Sequence, residues 1–252
     1  MRRSRPLVLC YHAVSASWTH PLSISPRLFE RQVESLLRRG YVPCSASDAM
    51  AGTRRSLHVT FDDAFRSVSA GVDVLERFGV PATVFVCAAC GDDGSPPPVP
   101  ELAAEAEAHP DELATMTWSE LGALAERGVE VGSHTATHPH LPELSSVELD
   151  RELQGSRERI EDELRRPCRF LAYPFGEEDA RVRAAARRAG YEAAFALSTK
   201  GETSDRFAVR RIGVYPNDRP ARLAIKSVAG ERLYALHAIA MSRRRAPLVR
   251  RR

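Results

Sequence analysis

Apolar runs alternate with segments of helical spacing along most of the chain, the pattern of a parallel α/β fold. Pro6-Leu7-Val8-Leu9-Cys10-Tyr11, Leu57-His58-Val59-Thr60-Phe61, Ala82-Thr83-Val84-Phe85-Val86, Val129-Glu130-Val131-Gly132-Ser133 and Phe170-Leu171-Ala172-Tyr173 read as strands, with another over 192–197. Ser25-Pro26 opens the first helix, with Ser25 as N-cap and Pro26 at the first helical position. Leu28, Val33, Leu36 and Leu37 form its apolar stripe and Gly40 ends it. Further helices are predicted over 68–78, from the capping box Thr117-Trp118-Ser119-Glu120 to 127, over 146–164 and over 179–189. Proline and glycine make 91–100 a surface loop. The last third reads as extended over 207–214 and partly helical over 219–243.

The 252 residues show no repeat and no linker, which predicts one domain over 1–218 followed by a helical extension and tail over 219–252. No apolar run approaches the roughly 18 residues of a membrane-spanning helix. The basic, briefly apolar N-terminus is ended by Tyr11 and His12 before a signal peptide could form, so a leaderless cytoplasmic protein is expected. Lys+Arg is 36 against Asp+Glu 33, a formal charge of +3. Lys200 and Lys226 are the only lysines, a bias that suits a GC-rich genome better than selection for phosphate binding. The terminal Arg243-Arg244-Arg245 and Arg250-Arg251-Arg252 read as a solvated tail that could touch an anionic membrane surface. No recognition motif accompanies them, so no specific nucleic-acid partner is expected. The five cysteines are odd in number and read as free thiols, Cys87-Ala88-Ala89-Cys90 being a strand-end thiol and its neighbour or a redox pair.

The residues that change the picture sit just past the ends of the predicted strands, where α/β folds place their sites. His12 follows the first strand, Asp62-Asp63 the second, His134 and His138 the fourth, and Pro174-Phe175-Gly176 the fifth. Taken singly, the aspartates could cap a helix and the histidines could be surface loop residues. Together, two histidines and one carboxylate can hold a divalent ion with an open position. The adjacent carboxylate is then free to act as a base.

Thr60-Phe61-Asp62-Asp63-Ala64, Ser133-His134-Thr135-Ala136-Thr137-His138 and Phe170-Leu171-Ala172-Tyr173-Pro174-Phe175-Gly176 resemble the first three motifs of the polysaccharide deacetylase family (NodB homology, carbohydrate esterase 4) in its Tyr-Pro-x-Gly branch. Cys10-Tyr11-His12-Ala13-Val14 and Phe78-Gly79-Val80-Pro81-Ala82-Thr83-Val84-Phe85 are also similar to this branch, so the likeness runs from about Leu7 to Val214. The resemblance implies a distorted (β/α) barrel and metal-dependent removal of acetyl groups from an N-acetylated carbohydrate. By motif position Asp63, His134 and His138 hold the metal, usually zinc, and Asp62 is the general base. The Phe175 N–H helps to hold the oxyanion. Tyr173, Pro174 and Arg211 are the candidate substrate contacts.

The sequence also departs from the family pattern. Ala64 stands where glycine is usual, a change the backbone tolerates if φ is negative there. Ala172 stands where many members carry an arginine that orients the base, and Arg210 or Arg211 is the candidate replacement. Leu236-His237 is nominally near the family's late Leu-x-His motif, the source of a general acid, but Tyr234, Leu236 and Ile239 around it read as a helix face. His12 at the first strand end is the alternative acid, and His140 reads as a loop histidine. Trp18 and Trp118 could stack on a sugar, although packing suits each better. Three functional readings follow. The first is an N-deacetylase of an N-acetylhexosamine glycan or glycoconjugate, on an intracellular or lipid-linked precursor if the chain is leaderless. The others are a hydrolase of a small non-sugar amide on the same fold, and a non-catalytic metal- or glycan-binding relative.

Overall fold

The computed structural model describes residues 6–51, 55–197 and 205–229. Its apolar runs form eight parallel strands: β1 Leu7–Tyr11, β2 Ser56–Phe61, β3 Ala82–Val86, β4 Glu130–Ser133, β5 Phe170–Ala172, β6 Ala193–Ala196, β7 Val209–Arg210 and β8 Ile212–Gly213. They lie side by side in the order β7-β6-β5-β4-β3-β2-β1-β8. β7 pairs with β6 through Val209↔Phe195, and β8 pairs with β1 through Leu9↔Ile212. The predicted extended segment is thus two short strands broken at Arg211. Because the two grip opposite edges of the sheet, the barrel is nearly closed, the distorted (β/α) barrel expected.

Six longer helices, α1 Pro26–Arg38, α2 Val68–Arg77, α3 Trp118–Glu126, α4 Ser146–Leu164, α5 Ala180–Arg188 and α6 Pro220–Ala229, accompany the strands. The predicted starts are built as expected. The Ser25 hydroxyl accepts from Leu28 N–H, and Thr117 and Glu120 form a reciprocal capping box. Another such box, Ser145 with Glu148, starts α4, and Asp179 caps α5.

Side chains alternate across each strand, so the period of two sorts them between two cores. Leu9, Tyr11, Val59, Phe61, Val84 and Leu171 share one core with Phe29, Val33, Leu121, Leu149 and Val182 of the helices. Val8, Phe85, Phe170, Ala172, Ala193 and Phe195 form a second core inside the barrel. The registers Val8↔His58, Cys10↔Thr60, Thr60↔Thr83 and Phe85↔Gly132 extend that inward set around the ring. Gly132 makes room for it: a Cβ there would lie 2.6 Å from the Phe85 ring and 2.9 Å from the Phe170 carbonyl oxygen. Continued past the strand ends, the same period brings His12, Asp62 and His134 to one rim.

A buried polar chain fixes the closing segment. The Tyr11 hydroxyl donates to Gln32 Oε1, and Gln32 Nε2 donates to the Asp218 carbonyl. Lys226 Nζ of α6 donates to both Asp218 Oδ2 and the Gly213 carbonyl.

His58 is a buried inward residue whose Nδ1–H donates to the Cys44 carbonyl, leaving Nε2 to accept from the Thr83 hydroxyl. Burial pushes its pKa down to about 4. The unfolded chain therefore takes up a proton between roughly pH 6.5 and pH 4 that the folded chain refuses, so stability falls as the pH is lowered through that window. The expected loss from this residue is about 3 kcal/mol, at roughly 1.4 kcal/mol per pH unit. Urea unfolding of the wild type and His58→Gln at pH 7 and pH 4 checks it: the difference in stability between the two pH values should shrink by about that amount in the variant.

Candidate functional site

Asp62 is the best-satisfied charge at the rim. Arg211 grips it with both arms, Nη1 at 2.5 Å from Oδ1 and Nη2 at 2.8 Å from Oδ2. Nη1 also donates to the Thr60 hydroxyl at 3.1 Å, and the Cys10 thiol donates to Asp62 Oδ2 at 3.3 Å. Both charged residues are only 2% exposed. Burial by itself opposes ionisation of Asp62, but the Arg211 guanidinium, aided by His134, outweighs it and holds the carboxyl well below the usual carboxylate range. The arginine missing at Ala172 is thus supplied by the closing strands, and of the two candidates it is Arg211.

Asp63 has the opposite environment. Its Oδ1 is buried without a hydrogen-bond partner, 3.7 Å from His134 Nε2 and 3.6 Å from His138 Nε2. His134 Nδ1 donates to the Ala172 carbonyl at 2.8 Å, which leaves Nε2 with its lone pair facing the cluster. His138 Nδ1 is also buried without a partner. Burial pushes His134 down to about 3 and lowers His138, so both rings are neutral near pH 7. Burial pushes Asp63 up to about 6, against the opposing pull of His12. Ligand atoms of Asp63, His134 and His138 lie within 4.8 Å of one another.

Neutral imidazoles and an unpartnered carboxylate oxygen, all buried, are the donor set of a divalent-metal site, and the three residues fit such an ion. Ligand atoms of Cys10, His12 and Asp62 also lie within 4.8 Å of one another. There, however, both carboxylate oxygens already accept from Arg211, whose charge repels a second cation.

The backbone around the cluster is strained. Asp63, Ala64, Thr135, His138 and Phe175 all have φ between +49° and +72°, a region costly for residues with a side chain. Ala64, at +49°, is therefore not the negative-φ residue that its tolerance was expected to need. The Ala64 carbonyl is held by Met116 N–H. The histidine loop is held from below by Glu152 of α4, whose carboxylate accepts from Ala136 N–H, Thr137 N–H and the Thr137 hydroxyl. Thr135 Oγ1 accepts from His138 N–H.

The structure brings together Asp62, Asp63, His134 and His138, with half-buried His12 on the Cys10 side and Phe175 against His138. Two of the expected substrate contacts are placed otherwise. Arg211 is engaged by Asp62, and Tyr173 is fully buried with its hydroxyl on the Phe207 carbonyl, so neither offers a free surface. Pro174 is buried in the turn between Tyr173 and Phe175.

Trp18 and Trp118 send their indole N–H groups to Glu105 and Asp92. All five cysteines are buried free thiols, and Cys87 donates to the His134 carbonyl. His237 and the arginine tail lie outside the described residues. Cys10 and Glu152 were missed as site residues. The inward period of β1 could have flagged the first, whereas nothing local marks the second among the other acids of its helix.

The described residues thus form a nearly closed parallel barrel that carries a buried Asp-His-His cluster beside an arginine-clamped aspartate. The sequence model described as polysaccharide deacetylase matches residues 49–194, more than half of the chain, and the protein belongs to that family. The Bacillus subtilis (strain 168) protein YxkH, named for polysaccharide deacetylation, is 21% identical over 219 residues, 83% of this chain and 71% of that protein. A chitooligosaccharide deacetylase of Rhizobium leguminosarum bv. trifolii is 30% identical over 125 residues, 49% of this chain and 47% of that one. Among solved structures, a polysaccharide deacetylase from Bacillus cereus superposes with a TM-score of 0.72 at 24% identity, covering 89% of this chain and 69% of its own. IcaB from Ammonifex degensii gives 0.73 at 21%, covering 89% and 97%. At these identities the superpositions speak for the fold.

Removing one partner of the buried ion pair should be costly. Arg211→Met is expected to lose about 3–5 kcal/mol in urea unfolding at pH 7, because Asp62 is left buried and unpaired. Combining it with Asp62→Asn should recover most of that loss; equal loss in the double variant would mean that the arginine acts by packing alone.

Proposed function

We propose that the protein is a metal-dependent N-deacetylase that removes acetyl groups from an N-acetylhexosamine-containing glycan, oligosaccharide or glycoconjugate. The observation that carries this reading is the unequal treatment of two adjacent buried carboxylates: Asp62 is neutralised by Arg211, whereas Asp63 is left facing two neutral histidines. Structural ion pairing explains the first and leaves the second unsatisfied. A metal ligand set beside a dedicated base explains both. Membership of the family adds the reaction class.

In this reading Asp63, His134 and His138 hold the ion, with zinc the expected one. A divalent ion at this position supplies Lewis-acid polarisation of an acyl oxygen and acidifies water. Asp62, ionised and fixed by two arginine hydrogen bonds, receives the proton of the attacking water. The bidentate grip aims the carboxylate and stops it from swinging toward the ion. The Phe175 N–H, on the turn beside His138, donates to the developing oxyanion. His12 donates a proton to the departing amine, which leaves only as the neutral species. Buried walls around the cluster exclude bulk water and strengthen each of these interactions. No helix among the described residues is long and apolar enough to cross a membrane.

Metal analysis combined with acetate release from N-acetylglucosamine oligomers and acetylated glycans tests the reading. The expected result is about one metal per chain and acetate release that a chelator abolishes. Acetate release from none of these substrates would refute it.

The separation of roles is tested by substitution. Asp63→Ala, His134→Ala and His138→Ala should each lose the metal and the activity together. Asp62→Asn should retain the metal and lose about 10²–10⁴-fold in kcat. Asp62→Asn at the wild-type rate would remove it as the base.

A further inference from the structure

The Phe175 N–H already has a proposed task at the oxyanion, but the side chains around it are arranged in a way that neither the oxyanion, the metal nor the base requires. Phe175 sits at φ +57° in the Pro174–Gly176 turn, although a bulky side chain is strained there. Phe175 is 38% exposed, and Val42, Val147 and Ile225 are the only other large hydrophobic residues so open among those described. His140, from the loop after β4, lies parallel on the Phe175 ring, with centroids 4.0 Å apart and planes 8° apart. His138 meets the same ring edge-on at 4.7 Å. His140 Nδ1 lies 2.9 Å from Glu177 Oε2, so the carboxylate fixes the orientation of the imidazole.

The two loops are also stitched together. Arg181, at the start of α5, donates to the Leu144 carbonyl at 2.5 Å and the Pro142 carbonyl at 2.9 Å. The stacked rings and the carboxylate are therefore held in place before any ligand arrives, yet remain open to solvent. Strain of this kind persists where the surroundings overdetermine it, and it gathers at ligand-binding sites.

We propose that Phe175, His140 and Glu177 form a sugar-recognition wall that binds a pyranose ring of the N-acetylated substrate beside the reacting centre. This rests on the deacetylase reading of the site. A pyranose offers an apolar face of C–H groups to an aromatic surface and equatorial hydroxyls to a neighbouring carboxylate. The stacked pair supplies the first partner and Glu177 the second. Because the wall is pre-organised, little side-chain freedom is lost on binding. A small acyclic amide has neither a ring face nor a set of hydroxyls, so the wall favours glycans over the non-sugar amides that the barrel could otherwise accept.

The test is calorimetric binding of the N-acetylglucosamine tetramer to the metal-loaded wild type, His140→Ala, Glu177→Ala and His140→Trp, with KM and kcat for acetate release measured in parallel. His140→Ala and Glu177→Ala should each weaken binding and raise KM about tenfold, with a much smaller change in kcat. His140→Trp, which restores an aromatic face, should recover most of the binding lost in His140→Ala. Glu177 is half-exposed, so its replacement keeps the test open even if the His140 variants fold poorly.

Unchanged tetramer binding in both alanine variants, or no tetramer binding to the wild type, overturns the wall. Tetramer binding that depends on the wall without acetate release by the wild type would instead count against the deacetylase reading. Acetate release indifferent to the wall would count against the wall alone.

Discussion

A charged carboxylate inside a barrel core of valine, alanine and phenylalanine cannot stand alone, and the site depends on how Asp62 is neutralised. Desolvating it without a partner would cost several kcal/mol or protonate it. Arg211 supplies the counter-charge with two hydrogen bonds and rests over the Phe85 ring at 5.5 Å. It also occupies the break between β7 and β8, where the two edges of the sheet meet the same segment. The segment that closes the barrel thus also carries the counter-charge of the proposed base. The buried chain from Tyr11 through Gln32 and Asp218 to Lys226 keeps the closing segment in register.

That pairing also defines what its neighbour does. Asp62 and Asp63 are consecutive, but the left-handed turn at Asp63 and Ala64 sends the second carboxylate toward His134 and His138. Such backbone costs on the order of 1–3 kcal/mol per residue and must be held by its surroundings. Glu152 and Thr135 do this for the histidine loop, and Met116 for the Ala64 carbonyl. The site is therefore a place where local conformational preference is overruled by tertiary contacts, as expected where geometry matters more than stability.

The strands were legible because buried parallel strands read as continuous apolar runs, and two helix starts because Ser25 and Thr117 carry cap chemistry. The motif residues were legible from their type and their place after those strands. Depth and direction were not. A short strand interrupted at one residue gives no periodicity, so the inward aim of Arg211 over Arg210 could not be decided from the chain. The same limit made buried Tyr173 and Arg211 look like substrate contacts. The sign of φ at Ala64 depends on a turn that no local residue announces. Glu152 orders the histidine loop from 15 and 16 residues away in sequence, a distance at which only the fold makes the connection.

As proposed, the two adjacent aspartates have different tasks: Asp63 would hold a divalent ion while Asp62 stays on Arg211. A crystal structure of the zinc-soaked protein, with the ion located by anomalous scattering, tests this division most directly. The expected result is a single strong site ligated by Asp63, His134 and His138, with Asp62 still gripped by Arg211. An ion bound instead through Cys10, His12 and Asp62, or a cluster that takes no ion at all, would contradict it.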